Sequence, residues 1–457
     1  MGISMKKKDM MRLIPFLWCL LVGFVALAQE MSLQECTQYA LTNNLTLTNT
    51  RINTKIAQEE YQQARRSSVL PTVDAGLSGG QLFGKSIDPN TNNYVDEGTI
   101  FSGDVSVAAQ LKLFEGFRQQ NTIRYNKLRY LMSEEEVNQR EVEIAFEVMN
   151  RYYDALYYTE MLAIADTQLV LTTLNMKRVQ QLVEMGLKAE SDLLEMEAQQ
   201  AAEIHRRTTV KNKRENALLL LKKVMNFPVD QPLMLEKEEF SALTYEAVGV
   251  DSICSVAYRV MPSIRRSELK VDAGRRQLAI RKSRWYPSLS LGGVLYSGYA
   301  DSWMRPINEA DPSIGYETVP LGEQLSRNVS KSISLRLRIP LFSAWANCSA
   351  VKNAKYSLAI ARNELEISKR TLRQEIAEDY QQMEALAEEQ EQLHVKQQAM
   401  QEAYRVAEKK MGQGLMNVID LYVAKNQLAN AEAELLRTRF QWTIKKKTMD
   451  LYLGKWK

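Results

Sequence analysis

The sequence predicts a mainly α-helical protein with a smaller antiparallel β part, built from an internal duplication. The first observation is a run from Phe117 to Phe227 that contains no proline and only one glycine, Gly186. The second is a pair of alternating segments ahead of this run, and the third is a repetition of the whole plan in the second half of the chain. Read as one helix, Arg118 to Met185 would be roughly 100 Å long at about 1.5 Å per residue.

The N-terminus has the features of a secretory signal peptide. Lys6, Lys7, Lys8 and Arg12 precede an apolar run from Leu13 to Leu27, and Ala26-Leu27-Ala28 is a small-residue cleavage site. We therefore expect residues 1–28 to be removed and the mature chain to begin at Gln29. No later stretch approaches the ~20 apolar residues of a membrane-spanning helix, so no such helix is expected.

The charge argues against a nucleic-acid-binding protein, and the cysteine content argues against a disulfide-stabilised one. The formal charge of +4 becomes +1 without residues 1–28, because four basic residues and Asp9 leave with them. A near-neutral chain is a poor partner for nucleic-acid phosphates. Three cysteines remain, Cys36, Cys254 and Cys348, and an odd, widely spaced set is not a disulfide framework. We expect unpaired thiols, with a single bridged pair as the alternative.

The first half begins with a helix and two strands. Ser32, followed three residues later by Glu35, is a capping-box pattern that predicts a helix from Leu33 to Ser67. Alternation from Val73 to about Phe83 predicts a strand of about ten residues. The polar stretch Gly84 to Gly98 is expected to be an exposed loop, and a second alternating strand ends at Leu113-Phe114.

The long run after these strands predicts a helical hairpin. Its apolar or small residues step by three and four, which is the spacing of a coiled-coil seam: Val142, Ala145, Met149, Tyr152, Leu156, Leu169, Thr172, Met176, Val179 and Val183. The hairpin is expected to turn at Gly186, because glycine adopts the left-handed conformation that ends a helix.

The second half repeats this plan. Two more alternating segments, Leu289–Tyr296 and Ile333–Leu341, flank an expected long loop from Gly298 to Lys331. Several residue pairs recur at one offset of 228, namely Leu113-Phe114 with Leu341-Phe342, Gly186-Leu187 with Gly414-Leu415, Asp192-Leu193 with Asp420-Leu421, and Gln199 with Gln427. The sequence therefore predicts two structural repeats, residues 29–228 and 229–457.

Four strands per chain raise a closure problem. About ten residues is the length of a tilted barrel strand in a bilayer, but about eight strands are needed to close a barrel. If the strands lie in a membrane, several copies must share one barrel, since open edges in lipid leave backbone groups unpaired. A soluble, half-exposed β-layer would alternate in the same way and is the alternative.

From Leu33 to Gly454 the chain resembles the TolC-type outer-membrane efflux channels. The resemblance rests on the duplicated plan of strands and helical hairpins, on the Leu-Phe at the strand ends, and on the Gly-Leu and Asp-Leu pairs at the helical turns. The resemblance implies a homotrimer with a twelve-stranded outer-membrane barrel, continued by a periplasmic α-helical barrel. It also implies an inner-membrane pump and a periplasmic adaptor as partners, in drug efflux or type I secretion. A soluble periplasmic coiled-coil adaptor or structural protein is the rival interpretation.

The resemblance also assigns candidate residues at the helical turns. Gly186, Leu187, Gly414 and Leu415 match the turns on which the adaptor docks, and Asp192 and Asp420 match positions near the periplasmic aperture. In three copies Asp420 would form a carboxylate ring that favours cations. The chain departs from the family pattern at three positions: Val423 replaces a second aspartate, and Met411 and Met416 replace a tyrosine and an arginine that latch the aperture.

Three basic residues on the strands, Lys112, Arg336 and Arg338, are expected to line the barrel lumen. No nucleophile with a base, phosphate loop, metal-ligand motif or pair of catalytic carboxylates is evident. We therefore expect neither enzyme activity nor a cofactor. The transported substrate does not follow from the sequence.

Overall fold

The computed structural model describes residues 30–87, 94–237 and 249–455. The predicted signal peptide, residues 1–28, and the predicted mature terminus at Gln29 lie outside the described residues. The centre of the predicted loop, residues 88–93, lies outside them as well.

Helices dominate the described chain. In chain order the bounds are Leu33–Asn43 (α1), Leu45–Arg66 (α2), Arg118–Glu184 (α3), Glu190–Met225 (α4), Val250–Val260 (α5), Pro262–Lys282 (α6), Leu321–Arg327 (α7), Ala346–Gly412 (α8) and Val418–Tyr452 (α9). Two helices precede the sheet strands in each half, α1 and α2 in the first and α5 and α6 in the second. Two long helices follow the strands in each half and form a hairpin, α3 with α4 and α8 with α9. The first helix of each hairpin has 67 residues. Among the described residues, no helix combines the length and the apolar character needed to cross a membrane.

The predicted first helix is interrupted, which corrects the expectation of one helix from Leu33 to Ser67. Ser32 and Glu35 do form the predicted capping box. The helix then ends at Asn44, whose side-chain oxygen accepts hydrogen bonds from the backbone N–H of Thr46 and Leu47, at 2.9 and 3.1 Å. Asn44 therefore ends one helix and caps the next, because a short amide side chain competes for backbone donors.

The strands form one four-stranded antiparallel sheet and two small pairs. The bounds are Glu30–Met31 (β1), Thr72–Ile87 (β2), Tyr94–Glu115 (β3), Met234–Leu235 (β4), Ser288–Ala300 (β5), Met304–Pro306 (β6), Tyr316–Thr318 (β7) and Ser330–Arg338 (β8). The sheet has the order β2-β3-β5-β8, and the pairs are β1-β4 and β6-β7. Short 3₁₀ turns occupy Ser283–Trp285 and Pro312–Ile314.

Three of the four sheet strands are longer than the predicted ten residues, with 16, 22 and 13 residues. The hairpin β2-β3 continues through the stretch expected to be a loop, pairing Gly84 with Gly98 and Ile87 with Tyr94. Backbone hydrogen bonds sustain this pairing without an apolar side-chain pattern. The other expected loop, Gly298 to Lys331, is also ordered, since it contains β6, β7 and α7.

The described chain divides into two compact units, each drawn from both halves of the sequence. One comprises residues up to 50, 137–262 and 369–457, and the other comprises residues 51–136 and 263–368. The first unit has an apolar core around Tyr152, Tyr153 and Leu221. Tyr152 therefore packs between helices, as its place in the predicted seam indicated. The second holds the four-stranded sheet and a smaller cluster of Val271, Leu358 and Ala361. The division into repeats 29–228 and 229–457 stays a prediction.

The cysteines Cys36, Cys254 and Cys348 are unpaired, and the first two are buried. Burial raises the pKa of the Cys36 thiol to about 12, with a smaller contribution from the nearby Glu35 carboxylate. Burial also raises the pKa of Cys254. These thiols are therefore neutral core groups at physiological pH.

Candidate docking turns and aperture residues

The two helical turns that the sequence singled out have the same hydrogen-bond pattern. In the first turn the N–H of Leu187 donates to the carbonyl of Leu182 and that of Gly186 to the carbonyl of Val183, both at 2.8 Å. In the second turn the N–H of Leu415 donates to Lys410 at 2.9 Å and that of Gly414 to Met411 at 3.1 Å. Both are Schellman turns, in which a left-handed residue closes the helix.

The glycines and leucines of these turns have different physical roles. Both glycines have a φ of +72°, and a Cβ built on either would meet no atom within 4 Å. The backbone conformation therefore favours glycine, whereas the space around it is open. Leu187 and Leu415 are 70 % and 73 % exposed. The turns thus present apolar side chains to the surroundings of the chain, which a docking surface requires.

Asp192 and Asp420 occupy matching positions but have different surroundings. The Asp192 carboxylate lies 3.4 Å from the ammonium of Lys188, and both side chains are half-buried. At the position that matches Lys188 the second turn has Met416. Asp420 is exposed, and within the part of the chain that the structure describes no ion pair involves it. Its backbone N–H donates a hydrogen bond to the side-chain oxygen of Asn417, 2.7 Å away. Asp420 is therefore the uncompensated carboxylate of the two.

The methionines that replace the expected latch residues pack inward. Met411 is buried and Met416 is half-buried, and both belong to an apolar cluster formed by residues of both hairpins: Val179, Met196, Ala407, Met411, Val418 and Leu421, with Met176, Val183, Tyr404, Met416 and Ala424 partly buried around them. Val423 is half-exposed, three residues after Asp420. Hydrophobic packing thus takes the place that polar contacts were expected to fill.

One buried polar group near these turns was missed by the sequence analysis. Lys425 and Glu203 are 3 % and 2 % exposed at their side chains and form an ion pair of 3.0 Å. Gln168 and Thr172 are buried beside them. A signal was available, because Lys425 lies four residues after Leu421 and three before Leu428 on α9. This is the spacing of a coiled-coil seam, where a charged residue is out of place.

The three basic strand residues share one face of the sheet. Lys112 and Arg336 both pair with Ser290, and Arg338 pairs with Ser288 in the next row of that face. A bulge after Lys112 brings Glu115 opposite Ser288. The other face carries Leu289, Leu291, Leu335 and Leu337. The sheet therefore has one apolar and one charged face at this end, as the strand pattern predicted.

The charged face borders a groove of about 560 Å³ between the strands and helices α2 and α3. Glu115 is one of the residues that line this groove, and it forms ion pairs with two basic side chains. The Arg118 guanidinium is 2.6 Å from its Oε1 atom, and the Lys112 ammonium is 3.9 Å from the same atom. Because one carboxylate serves two cations, this end of the charged face is basic.

Comparisons with known proteins identify relatives over most of the chain. The sequence model of the outer membrane efflux protein family matches residues 37–226 and again 256–455. The outer membrane protein TolC of Salmonella enteritidis is 23 % identical over 455 residues, which cover 98 % of this chain and 87 % of TolC. Among solved structures, CusC has a TM-score of 0.76 at 14 % identity, with 94 % and 95 % of the two chains covered. VceC of Vibrio cholerae has a TM-score of 0.73 at 15 % identity, with 92 % and 96 % covered.

Proposed function

The chain belongs to the outer membrane efflux protein family, and from this membership we propose that three copies complete one twelve-stranded barrel that works with a periplasmic adaptor and an inner-membrane pump. The protein is an outer-membrane exit duct of efflux systems, with a periplasmic extension. This is a family of channels rather than of enzymes. The rival interpretation, a soluble periplasmic adaptor, does not fit this membership.

The main support for the trimer is that the four-stranded sheet has two unpaired edges. Among the described strands, β2 and β8 each pair on one side only. Every residue of β8 is exposed, including Ile333, Leu335 and Leu337 on its apolar face. In lipid such an edge would leave backbone groups unpaired at several kcal/mol each. Pairing β8 of one copy with β2 of the next satisfies both edges, and three four-stranded sheets supply twelve strands.

The adaptor docks, in this proposal, on the two Schellman turns. Gly186 and Gly414 set the backbone, and Leu187 and Leu415 supply exposed apolar contacts. An exposed leucine at a rigid turn suits the apolar centre of a protein interface. A polar rim is available in the exposed Gln413.

The aperture is governed by Asp420 rather than Asp192. The Lys188 ammonium compensates the Asp192 charge, whereas Asp420 has no such partner among the described residues. Three Asp420 carboxylates around one axis would attract cations and repel each other. Met411, Met416 and the surrounding apolar cluster supply the packing that opposes this repulsion.

The basic end of the charged sheet face lines the lumen in this proposal. The apolar face carrying Leu335 and Leu337 turns to lipid, which leaves Lys112, Arg336 and Arg338 toward water. The two family-model matches, residues 37–226 and 256–455, support the division of the mature chain into repeats at 29–228 and 229–457.

The test is the native mass and membrane location of the mature protein in mild detergent. We expect a particle of about three chains, extracted from the outer-membrane fraction. A soluble monomer in the periplasmic fraction would overturn the shared barrel and favour the adaptor interpretation. Export of a pump substrate from cells with and without the gene then tests the duct.

A further inference from the structure

The ammonium of Lys425 is the centre of a buried polar contact between the two helical hairpins. It donates to the carbonyl of Gln168 at 2.9 Å, to the hydroxyl of Thr172, and to the Oε1 atom of Glu203 at 3.0 Å. Gln168 and Thr172 lie on α3 and Glu203 lies on α4. All three ammonium protons are therefore used, and they join α9 of the second hairpin to both helices of the first.

We propose that this contact, the Lys425 tie, is a switchable connection between the hairpins that holds the aperture end of α9 against the first hairpin and releases it by hydration. The proposal rests on the proposed channel function. Lys425 is a positioning residue, since Asp420 lies five residues before it on the same helix. Movement of the first turns of α9 away from the first hairpin therefore has to break these three hydrogen bonds.

The tie is built for switching rather than for stability. Glu203 Oε2 and Gln168 Oε1 are buried and have no hydrogen-bond partner among the described residues. Burial lowers the pKa of Lys425, while the Glu203 carboxylate opposes this effect. Buried charges with unsatisfied neighbours stabilise a fold less than well-packed apolar groups of the same volume do.

The buried polar groups around Lys425 also lower the free-energy cost of separating α9 from the first hairpin. When α9 moves away, water can hydrate the ammonium, the carboxylate and the two unsatisfied oxygens. An apolar seam at this point would instead expose hydrocarbon on separation and would resist it. The Lys425 tie therefore makes the separated state more accessible than an apolar contact would, and it also fixes one register between the hairpins.

Two variants with opposite expected effects test the proposal in the full-length, detergent-purified protein. Lys425→Met leaves Glu203 buried and unpaired, so the hairpins should loosen. Lys425→Met combined with Glu203→Leu gives an apolar seam, so they should hold more tightly. Lys396→Met is the matched control, because Lys396 forms a 2.6 Å ion pair with Glu434 that is half-exposed and lies within the second hairpin.

The first readout is amide hydrogen exchange over Val418–Ala431, which requires no channel activity. We expect exchange to rise about tenfold or more in Lys425→Met, to return to the wild-type rate or below it in the double variant, and to stay unchanged in Lys396→Met. The second readout is the opening frequency of single channels in planar bilayers. It should rise in the single variant and fall below wild type in the double variant.

Wild-type exchange in Lys425→Met, or equally fast exchange in the single and double variants, would overturn the tie. If Lys425→Met does not assemble, Thr172→Val removes one hydrogen bond with little change of shape, and an unchanged exchange rate there would overturn it too. A wild-type protein that neither trimerises nor conducts would refute the proposed channel. Exchange over Val418–Ala431 would still test the Lys425 tie in that case. Failure of the proposed channel and failure of the proposed tie are therefore distinguishable.

Discussion

Gly186 and Gly414, 228 residues apart in the sequence, share a φ of +72° at the two helical turns. Each is followed by an exposed leucine and, six residues later, by an aspartate. The backbone geometry of the two turns is the same, but their charge is not, because Lys188 pairs with Asp192 while Met416 stands in the corresponding position before Asp420. The duplication therefore conserves the shape of the turns and varies their electrostatics.

Gly414→Trp should abolish export and leave the trimer and the sheet intact. Any L residue with a φ of +72° costs about 1–2 kcal/mol, which is small for helices held by long seams, whereas the indole would obstruct docking. Gly414→Asn is the control, because asparagine tolerates this conformation and adds little bulk. Native electrophoresis and a drug-efflux assay check the result. If Gly414→Trp does not form the trimer, the glycine has a structural role and the docking role is not supported.

Leu415→Ser should weaken adaptor binding without changing stability. The side chain is exposed, so its removal from the free protein costs little, while an anchor at an interface centre is worth about 2 kcal/mol or more. Leu174→Ser is the matched control, because Leu174 is an exposed leucine on α3 that lies more than two turns before the helix ends at Glu184. Binding of a purified adaptor should fall about 30-fold for Leu415→Ser and stay unchanged for Leu174→Ser. Equal affinities for both variants would contradict docking at this turn.

The sequence predicted the features that depend on local residue order. The capping box of Ser32 and Glu35, the glycine turns and the alternating face of β8 each need only neighbours within a few residues. The strand ends were predicted less well, because Gly84 and Gly98 pair through their backbones and give no apolar signal.

Features that depend on distant partners could not be predicted in the same way. Asn44 interrupts the first helix where its side-chain amide also donates to the carbonyl of Val224. Ala344 and Trp345 have positive φ values just before α8, where no glycine indicates a turn in the sequence. The partners of Lys425 lie more than 200 residues away, so only its unusual seam position was visible in the sequence.

Cys36 should resist alkylation in the folded protein. Thiolate is the reactive form, and burial raises the pKa of this thiol from 9.0 to about 12, so its thiolate fraction at pH 8 should be about 1,000-fold lower than that of an ordinary thiol. Cys348 is half-buried and serves as the internal control. Mass spectrometry after timed alkylation should show Cys348 labelled first and Cys36 labelled only on unfolding. Equal labelling rates would contradict the buried position of Cys36.

The same pKa shift makes stability depend on alkaline pH. Below pH 9 the thiol is neutral in both states, so the contribution of Cys36 is fully present. Between pH 9 and about 12 the unfolded thiol ionises while the folded thiol does not, so this contribution is progressively lost. Cys36→Ala should lower stability at neutral pH, because it removes a core side chain, but should flatten the decline above pH 9. Denaturant unfolding at pH 7, 9 and 10.5 measures both effects, and an equally steep decline in the variant would contradict the assignment.

Asp420→Ala should reduce cation selectivity and loosen the closed aperture. In a trimer it removes three carboxylates from one ring, and at physiological ionic strength such charges act over about 8 Å. We expect the cation-to-anion permeability ratio, measured from reversal potentials in a salt gradient, to fall by about two- to tenfold. Cells carrying the variant should also take up more of a large antibiotic.

The control for this prediction is the double variant Lys188→Met with Asp192→Ala. It removes a neutral ion pair, so the net charge of the aperture end stays the same, and it gives the first turn the methionine that the second turn already has. Its permeability ratio should equal that of the wild type. If the double variant and Asp420→Ala change selectivity equally, then both aspartates contribute to the aperture, and compensation by Lys188 does not separate their roles.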